Sequence, residues 1–122
     1  MVKKCIAGRI GKMECQEQLN KWAIEYDTSN PIFDGYTEPT RKYAGRCKFR
    51  TDSNGIRYGI ILIRPELEGH PFLTKSVLWH EFAHHAEWYF DGTTGHGRKW
   101  FSWLMKKPAL VIGEFVACFV LA

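Results

Sequence analysis

Residues 79–85 read Trp79-His80-Glu81-Phe82-Ala83-His84-His85 and contain H-E-x-x-H. On a helix, His80 and His84 stand four residues apart on one face, about one turn from each other. Both imidazoles then reach a single metal ion. Glu81 directly follows the first histidine and is offset around the helix, so it can face the metal without ligating it. A glutamate there can take a proton from a water on the metal. Holding zinc, lowering the pKa of its water and accepting the released proton are one task, and these residue types match it. The motif is short, however. Shuffling this composition would produce it in about one or two chains in a hundred, and a helix with a few surface histidines would read the same way.

Two neighbouring features carry the argument further. Residues 77–90 hold no Pro or Gly and are rich in Leu, Phe, Trp and Ala, so they can form one continuous buried helix. A third histidine follows in Thr93-Thr94-Gly95-His96-Gly97, on a glycine-rich turn where the chain can fold back toward the metal. Three protein ligands and one open position make a catalytic zinc site, not a closed structural one. His80, His84 and His96 are the expected ligands of Zn2+, and Glu81 the expected catalytic base. Imidazoles accept other divalent metals as well, manganese among them.

Around the motif, Thr74 is the expected N-cap of a metal helix over residues 75–89. Leu78, Trp79 and Phe82 bury one side of it while His80 and His84 face a cleft. His85 lies about 100° around from His84. It reads as a supporting or surface group, with His96's ligand role as its alternative. Residues 98–107 predict a short helix with Trp100, Trp103 and Leu104 on one face, ended by Lys106-Lys107-Pro108. Trp88, Trp100 and Trp103 are expected to pack where it meets the metal helix. Residues 108–122 are almost wholly apolar, too short to span a membrane as a helix, and fit a buried strand or a buried helix. Glu114 is the anomaly there, because a carboxylate in an apolar run needs a partner. It could pair with a base, orient a ligand histidine, or itself be the third zinc ligand.

Upstream, Cys15, Leu19, Trp22, Ala23 and Tyr26 recur at helical spacing, predicting an amphipathic helix over residues 13–27. Residues 31–40 read as irregular, since Asp34-Gly35 and Glu38-Pro39 interrupt any strand. Residues 43–50 alternate: Tyr43, Gly45, Cys47 and Phe49 on one face, Arg46, Lys48 and Arg50 on the other. Asp52-Ser53-Asn54-Gly55 is a turn signal, and residues 56–64 return as a second, more central strand of a hairpin. The basic row of Arg46, Lys48, Arg50 and Arg57 reads as a solvated sheet face. A phosphate-contacting strip is the other reading, weakened because no aromatic is interleaved for base stacking. His70, just before a proline, reads as a loop residue.

The chain has 122 residues, 45% of them hydrophobic and 15% aromatic, enough for one domain (1–122) with a packed core. A net charge of +4 permits contact with DNA without requiring it. The cysteines Cys5, Cys15, Cys47 and Cys118 form no C-x-x-C pair, which argues against a zinc ribbon or a disulfide framework. The N-terminal apolar run is broken by Arg9 and too short for a signal peptide. A cytoplasmic or DNA-associated intracellular protein is expected, not a secreted or membrane one.

His80-Glu81-Phe82-Ala83-His84, then His96-Gly97-Arg98-Lys99-Trp100, then Leu104-Met105, resembles the SprT-like family of zinc metallopeptidases. The family pattern is H-E-x-x-H, a short loop, then H-G-x-x-[FW] opening a helix. Ala44-Gly45-Arg46-Cys47 and its hairpin also resemble the strand pair preceding the family's metal helix. The resemblance covers roughly residues 13–107. It implies His80, His84 and His96 as zinc ligands, Glu81 as base and a polypeptide as substrate, with the DNA-associated proteins cut by some relatives as one substrate class. No cysteine-rich zinc ribbon and no DNA-binding extension follow, so the peptidase core is implied more strongly than the DNA-linked role. Gly113-Glu114-Phe115-Val116-Ala117 resembles, more weakly, the E-x-x-A helix of gluzincin-type peptidases, which would make Glu114 the third ligand.

The expected architecture is a small α+β zincin-like domain, a β-hairpin or short sheet packed on the H-E-x-x-H helix and flanking helices. The expected activity is peptide hydrolysis at the metal, with Tyr36, Tyr43 and His85 as candidates for stabilising the oxyanion. The rivals are a gluzincin-type peptidase using Glu114 and a non-catalytic zinc-stabilised module that binds nucleic acid or protein.

Overall fold

A computed structural model describes residues 11–36 and 44–121, and within 117–121 the backbone alone. Tyr43, Cys5, the side chain of Cys118 and the N-terminal residues 1–10 fall outside this description. The elements run α1 (Lys12–Tyr26), β1 (Ile32–Tyr36), β2 (Gly45–Thr51), β3 (Arg57–Ile63), a 3-10 turn (Pro65–Leu67), α2 (Pro71–Asp91), α3 (Arg98–Leu104) and α4 (Pro108–Leu121). Four helices and a three-stranded mixed sheet make the described residues an α+β fold. No described helix is long and apolar enough to cross a membrane.

The first helix forms where the 3.6-residue period places it. Cys15, Leu19, Trp22 and Ala23 are its buried stripe, and Asp27 ends it in the left-handed region at φ 59°. The hairpin also forms as its turn predicts. The Asp52 carboxylate accepts from the backbone N–H of Asn54 at 2.8 Å and of Ile56 at 2.9 Å, closing the Asp-Ser-Asn-Gly turn. In the sheet, β3 is central: β2 pairs with it antiparallel and β1 parallel.

That first strand corrects the expectation of irregular chain at Ile32–Tyr36, while residues 37–40 of the same stretch lie outside the described residues. Phe33 pairs with Ile61 and Gly35 with Leu62, leaving Asp34 as the extra residue of a bulge. The bulge absorbs the Asp-Gly pair that reads as a break. Gln16 of α1 fastens the strand from the side: its amide nitrogen donates to Pro31 O at 2.8 Å, and its oxygen accepts from Phe33 N–H at 2.7 Å.

The long helix α2 is the axis of the molecule. It starts at Pro71 with His70 as N-cap, not at Lys75 behind Thr74. Proline suits the first helical position, where its missing N–H costs nothing. The Thr74 hydroxyl is instead fully buried and donates to Leu67 O at 2.5 Å, tying the helix to the 3-10 turn. Trp79 and Phe82 stack at 5.5 Å and meet Trp22 of α1 edge-on at 5.0 and 5.7 Å. Together with Leu19, Ile61, Ile63 and Leu78 they are the centre of the core.

The third helix is shorter than expected, ending at Leu104, whose carbonyl accepts from the Trp79 indole N–H at 2.9 Å. The apolar C-terminal run is a helix. Of the three tryptophans expected at the α2–α3 junction, Trp100 and Trp103 are there. Trp103 stacks on Phe90 at 5.6 Å. Trp88 turns instead to the hairpin, donating to Arg50 O at 2.9 Å and packing on Phe49.

Candidate metal centre

One helix, α2, presents the first two candidate ligands. His80 and His84 bring their Nε2 atoms to 3.3 Å of each other. The loop after α2 brings the third: His96 Nε2 lies 3.2 Å from His84 Nε2. Zinc–nitrogen bonds of about 2.0–2.1 Å at tetrahedral angles place neighbouring ligand nitrogens about 3.3 Å apart. His84 stands at that spacing from both partners. Each ring offers one nitrogen, all within 4.8 Å of one another, so the group could hold a metal ion. The donor chemistry, three imidazoles and no thiolate, fits zinc with an open position.

The loop is short because two glycines turn it. Gly92 (φ 67°) ends α2 and Gly95 (φ 109°) reverses the chain into His96, both in conformations that a Cβ disfavours. The Thr93 hydroxyl anchors the bend on the Glu87 carboxylate at 2.6 Å. One turn into α3, Trp100 walls the triad. Its ring centroid lies 4.9 Å from His80, 5.3 Å from His84 and 4.7 Å from His96. Sequence reading made Trp100 a core residue. It is buried, and it is also the wall of the site.

The electrostatics follow from this crowding. Burial, then the charges of His80 and His96, pull the His84 pKa down to about 3. Burial and His80 lower that of His96 too. Burial also opposes protonation of His80, but the Glu114 and Glu81 carboxylates outweigh it and lift its pKa. His84 and His96, which resist protonation, keep their lone pairs free for a cation. Glu81 is buried, with Oε2 at 4.0 Å from His80 Nε2. Burial raises its carboxyl to about 7, with His80 opposing and Glu114 adding to the rise. A bound dication would pull it back down.

A cleft of about 250 Å³ opens over these groups, lined by Gly45, Arg46, Cys47 and Phe49 of β2, by His80, Glu81 and His84, and by Thr94, Gly95 and His96. Gly45 matters by its smallness. A Cβ there would stand 2.8 Å from Val77 Cγ1 and 3.1 Å from Glu81 Oε2. The strand can therefore lie directly against the Glu81 carboxylate. Phe49 meets His84 edge-on at 6.3 Å. Sequence reading put Gly45, Cys47 and Phe49 on one face of the strand without linking that face to the metal. The link needs the packing of α2 across the sheet.

Several candidates lie elsewhere. His85 faces away from the triad and takes no ligand position. Its Nδ1 accepts from Gly59 N–H at 2.9 Å, so the ring proton sits on Nε2 and is donated to Ser29 O at 2.8 Å. Tyr36 reaches Cys15 Sγ at 3.3 Å across α1, which removes it from the oxyanion candidates along with His85. Glu114 touches His80 on the Nδ1 edge, at 2.5 Å, the edge opposite the converging Nε2 atoms. Glu114 therefore lies away from the three nitrogens that could hold a metal ion, and His96 is one of them. Arg57 leaves the basic row: its Nε donates to Trp88 O at 2.7 Å and its Nη2 to Tyr89 O at 3.1 Å. The outer face is not without an aromatic either, because Tyr58 pairs directly with Arg50.

The SprT-like family model matches residues 13–111. The chain belongs to the SprT-like family. No curated protein and no solved structure shows a significant match to it. The matched residues span α1 through the start of α4, and so include the whole triad, Glu81 and Trp100.

Proposed function

We propose that this SprT-like chain is a zinc-dependent endopeptidase with a zincin-like architecture. One observation supports it above the others: His80, His84 and His96 converge at coordination spacing beside a buried carboxylate, Glu81, in an open cleft. A zinc ion held by the three Nε2 atoms would supply Lewis acidity at a peptide carbonyl and acidify water. Glu81 takes the proton from the attacking water and delivers it to the leaving amine.

The sheet offers the substrate a place to lie. Arg64 N–H bonds to Ala44 O at 2.9 Å, and Asp52 N–H to Ile56 O at 2.9 Å. Bonded pairs alternate along an antiparallel ladder, so Arg46, Lys48 and Arg50 also turn their backbone groups toward β3. Gly45, Cys47 and Phe49 turn theirs outward. Among the described residues no strand covers that edge. Their N–H and C=O groups would pair with an extended polypeptide beside the metal. Cys15 and Cys47 are free thiols, in keeping with an intracellular setting.

The test is zinc content and peptide hydrolysis in the wild type and in Glu81→Gln. Retained zinc with activity down by about 100-fold or more is expected. A Glu81→Gln protein that cleaves like the wild type would sink the mechanism. Zinc without hydrolysis in the wild type would favour the non-catalytic binding module. DNA as a partner is carried by the outer face, where Arg46 and Lys48 share the row of Arg50 and Arg50 pairs with Tyr58. Stimulation by DNA that fades with salt is its measurement.

A further inference from the structure

We infer that Glu114, beyond the residues matched by the family model, is the positioning residue that holds His80 in its metal-binding orientation. The inference rests on the metal reading of the triad and adds the part played by α4. An imidazole can offer Nε2 to a metal only while its proton is on Nδ1, and an acceptor facing Nδ1 keeps the proton there and stops the ring from turning. The Glu114 carboxylate oxygen lies 2.5 Å from His80 Nδ1 in an ion-pair contact that is not aligned as a hydrogen bond, with its side chain 25% exposed and that of His80 16% exposed. On the other edge of the same ring, Nε2 points to His84 Nε2.

The residue before it explains how a helix comes close enough. Gly113 sits on Ser76, where an added Cβ would fall 2.0 Å from Ser76 Oγ and 2.7 Å from Phe72 Cε2. Ser76 and His80 are successive turns on one face of α2. With Gly113 seated on the first turn, the next residue of α4 arrives at the second. The lone carboxylate of an otherwise apolar helix is thus spent on the outer nitrogen of a ligand ring.

The experiment measures zinc affinity by chelator competition, and thermal unfolding, for the wild type, Glu114→Ala, Glu114→Gln and Leu110→Ala. Loss of such an outer partner typically weakens metal binding about 10–100-fold, and that is expected for Glu114→Ala. Glu114→Gln keeps an acceptor of the same size and should fall between Glu114→Ala and the wild type. Leu110 is buried on the same helix, so Leu110→Ala should lower the unfolding temperature and leave zinc affinity within about twofold. A folded Glu114→Ala that binds zinc within twofold of the wild type overturns the inference. Should the alanine protein not fold, a Glu114→Gln protein with wild-type affinity overturns it. An equal loss of affinity in Leu110→Ala overturns it too, since the effect would then be loosened packing. A wild type that binds no zinc would instead bring down the metal reading itself.

Discussion

His85 should make the fold acid-sensitive, and the size of the effect can be worked from its surroundings. The ring is fully buried, accepts from Gly59 N–H and donates to Ser29 O. A second proton would have to sit on Nδ1, pointed at an N–H group. Burial, partly offset by the Ser29 carbonyl, accordingly pulls the pKa from the ordinary 6.5 down to about 4. Between those values the unfolded chain binds a proton that the folded chain refuses. The contribution to stability is therefore complete above pH 6.5 and is lost progressively as the pH falls toward about 4. At about 1.4 kcal/mol per pH unit, that window is worth about 3 kcal/mol. The perturbation is His85→Gln, which cannot take the charge. Urea unfolding in steps from about pH 7 to about pH 4 should show the variant less stable at neutral pH, with the gap to the wild type closing by about 3 kcal/mol on acidification. The histidines of the triad and Glu81 titrate in both proteins and cancel in the difference. Parallel curves across the window would refute the reasoning.

Two further outcomes follow from close contacts. Gly45→Ala places a methyl at 2.8 Å from Val77 Cγ1 and 3.0 Å from Leu62 O, so β2 must move off α2. Zinc content should stay as in the wild type while hydrolysis falls by about 100-fold, because an ångström of misplacement between strand and base is enough; unchanged turnover would show that β2 does not place the substrate. Arg57→Met removes the donors to Trp88 O and Tyr89 O at the end of α2. It should cost about 1–2 kcal/mol by chemical denaturation and speed amide exchange at Gly92, whose N–H bonds to Trp88 O.

The sequence was most legible where a motif has a fixed spacing. Two histidines four apart on a helix, and a third after two glycines, are local arithmetic, and the structure brings a nitrogen of each within 4.8 Å of the others. The Asn-Gly hairpin and the stripe of α1 are local as well. What escaped depended on partners far along the chain. β1 hides because its bulge breaks the alternation that marks a strand, and its fastening comes from Gln16 of another element. Thr74 looks like an N-cap, but its hydroxyl is taken by the 3-10 turn before the helix. Residues 108–121 gave no period because both faces are apolar, and packing on α2 decides for helix. The place of Arg57 was in fact readable. It shares the two-residue period of Gly59, Ile61 and Ile63, all facing the core, and so could not lie with Arg46 on the outer face.

The precision of the triad comes from how completely its helix is surrounded. Trp79 and Phe82 face α1, Glu81 faces Gly45 of β2, and His85 is bonded to β3 and to the α1–β1 connection. Ser76 and His80 face α4, and His84 stacks on Trp100 of α3 at 5.3 Å. A helix held on so many sides cannot rotate to relieve a local conflict. What it holds in place is His84 Nε2 at 3.3 Å from His80 Nε2 and 3.2 Å from His96 Nε2, a spacing natural around a zinc ion. Burial, and after it the neighbouring His80 and His96, gives His84 its low pKa. A metal ion bound by these histidines in the folded state alone would add its binding free energy to stability, raising the unfolding temperature with metal concentration.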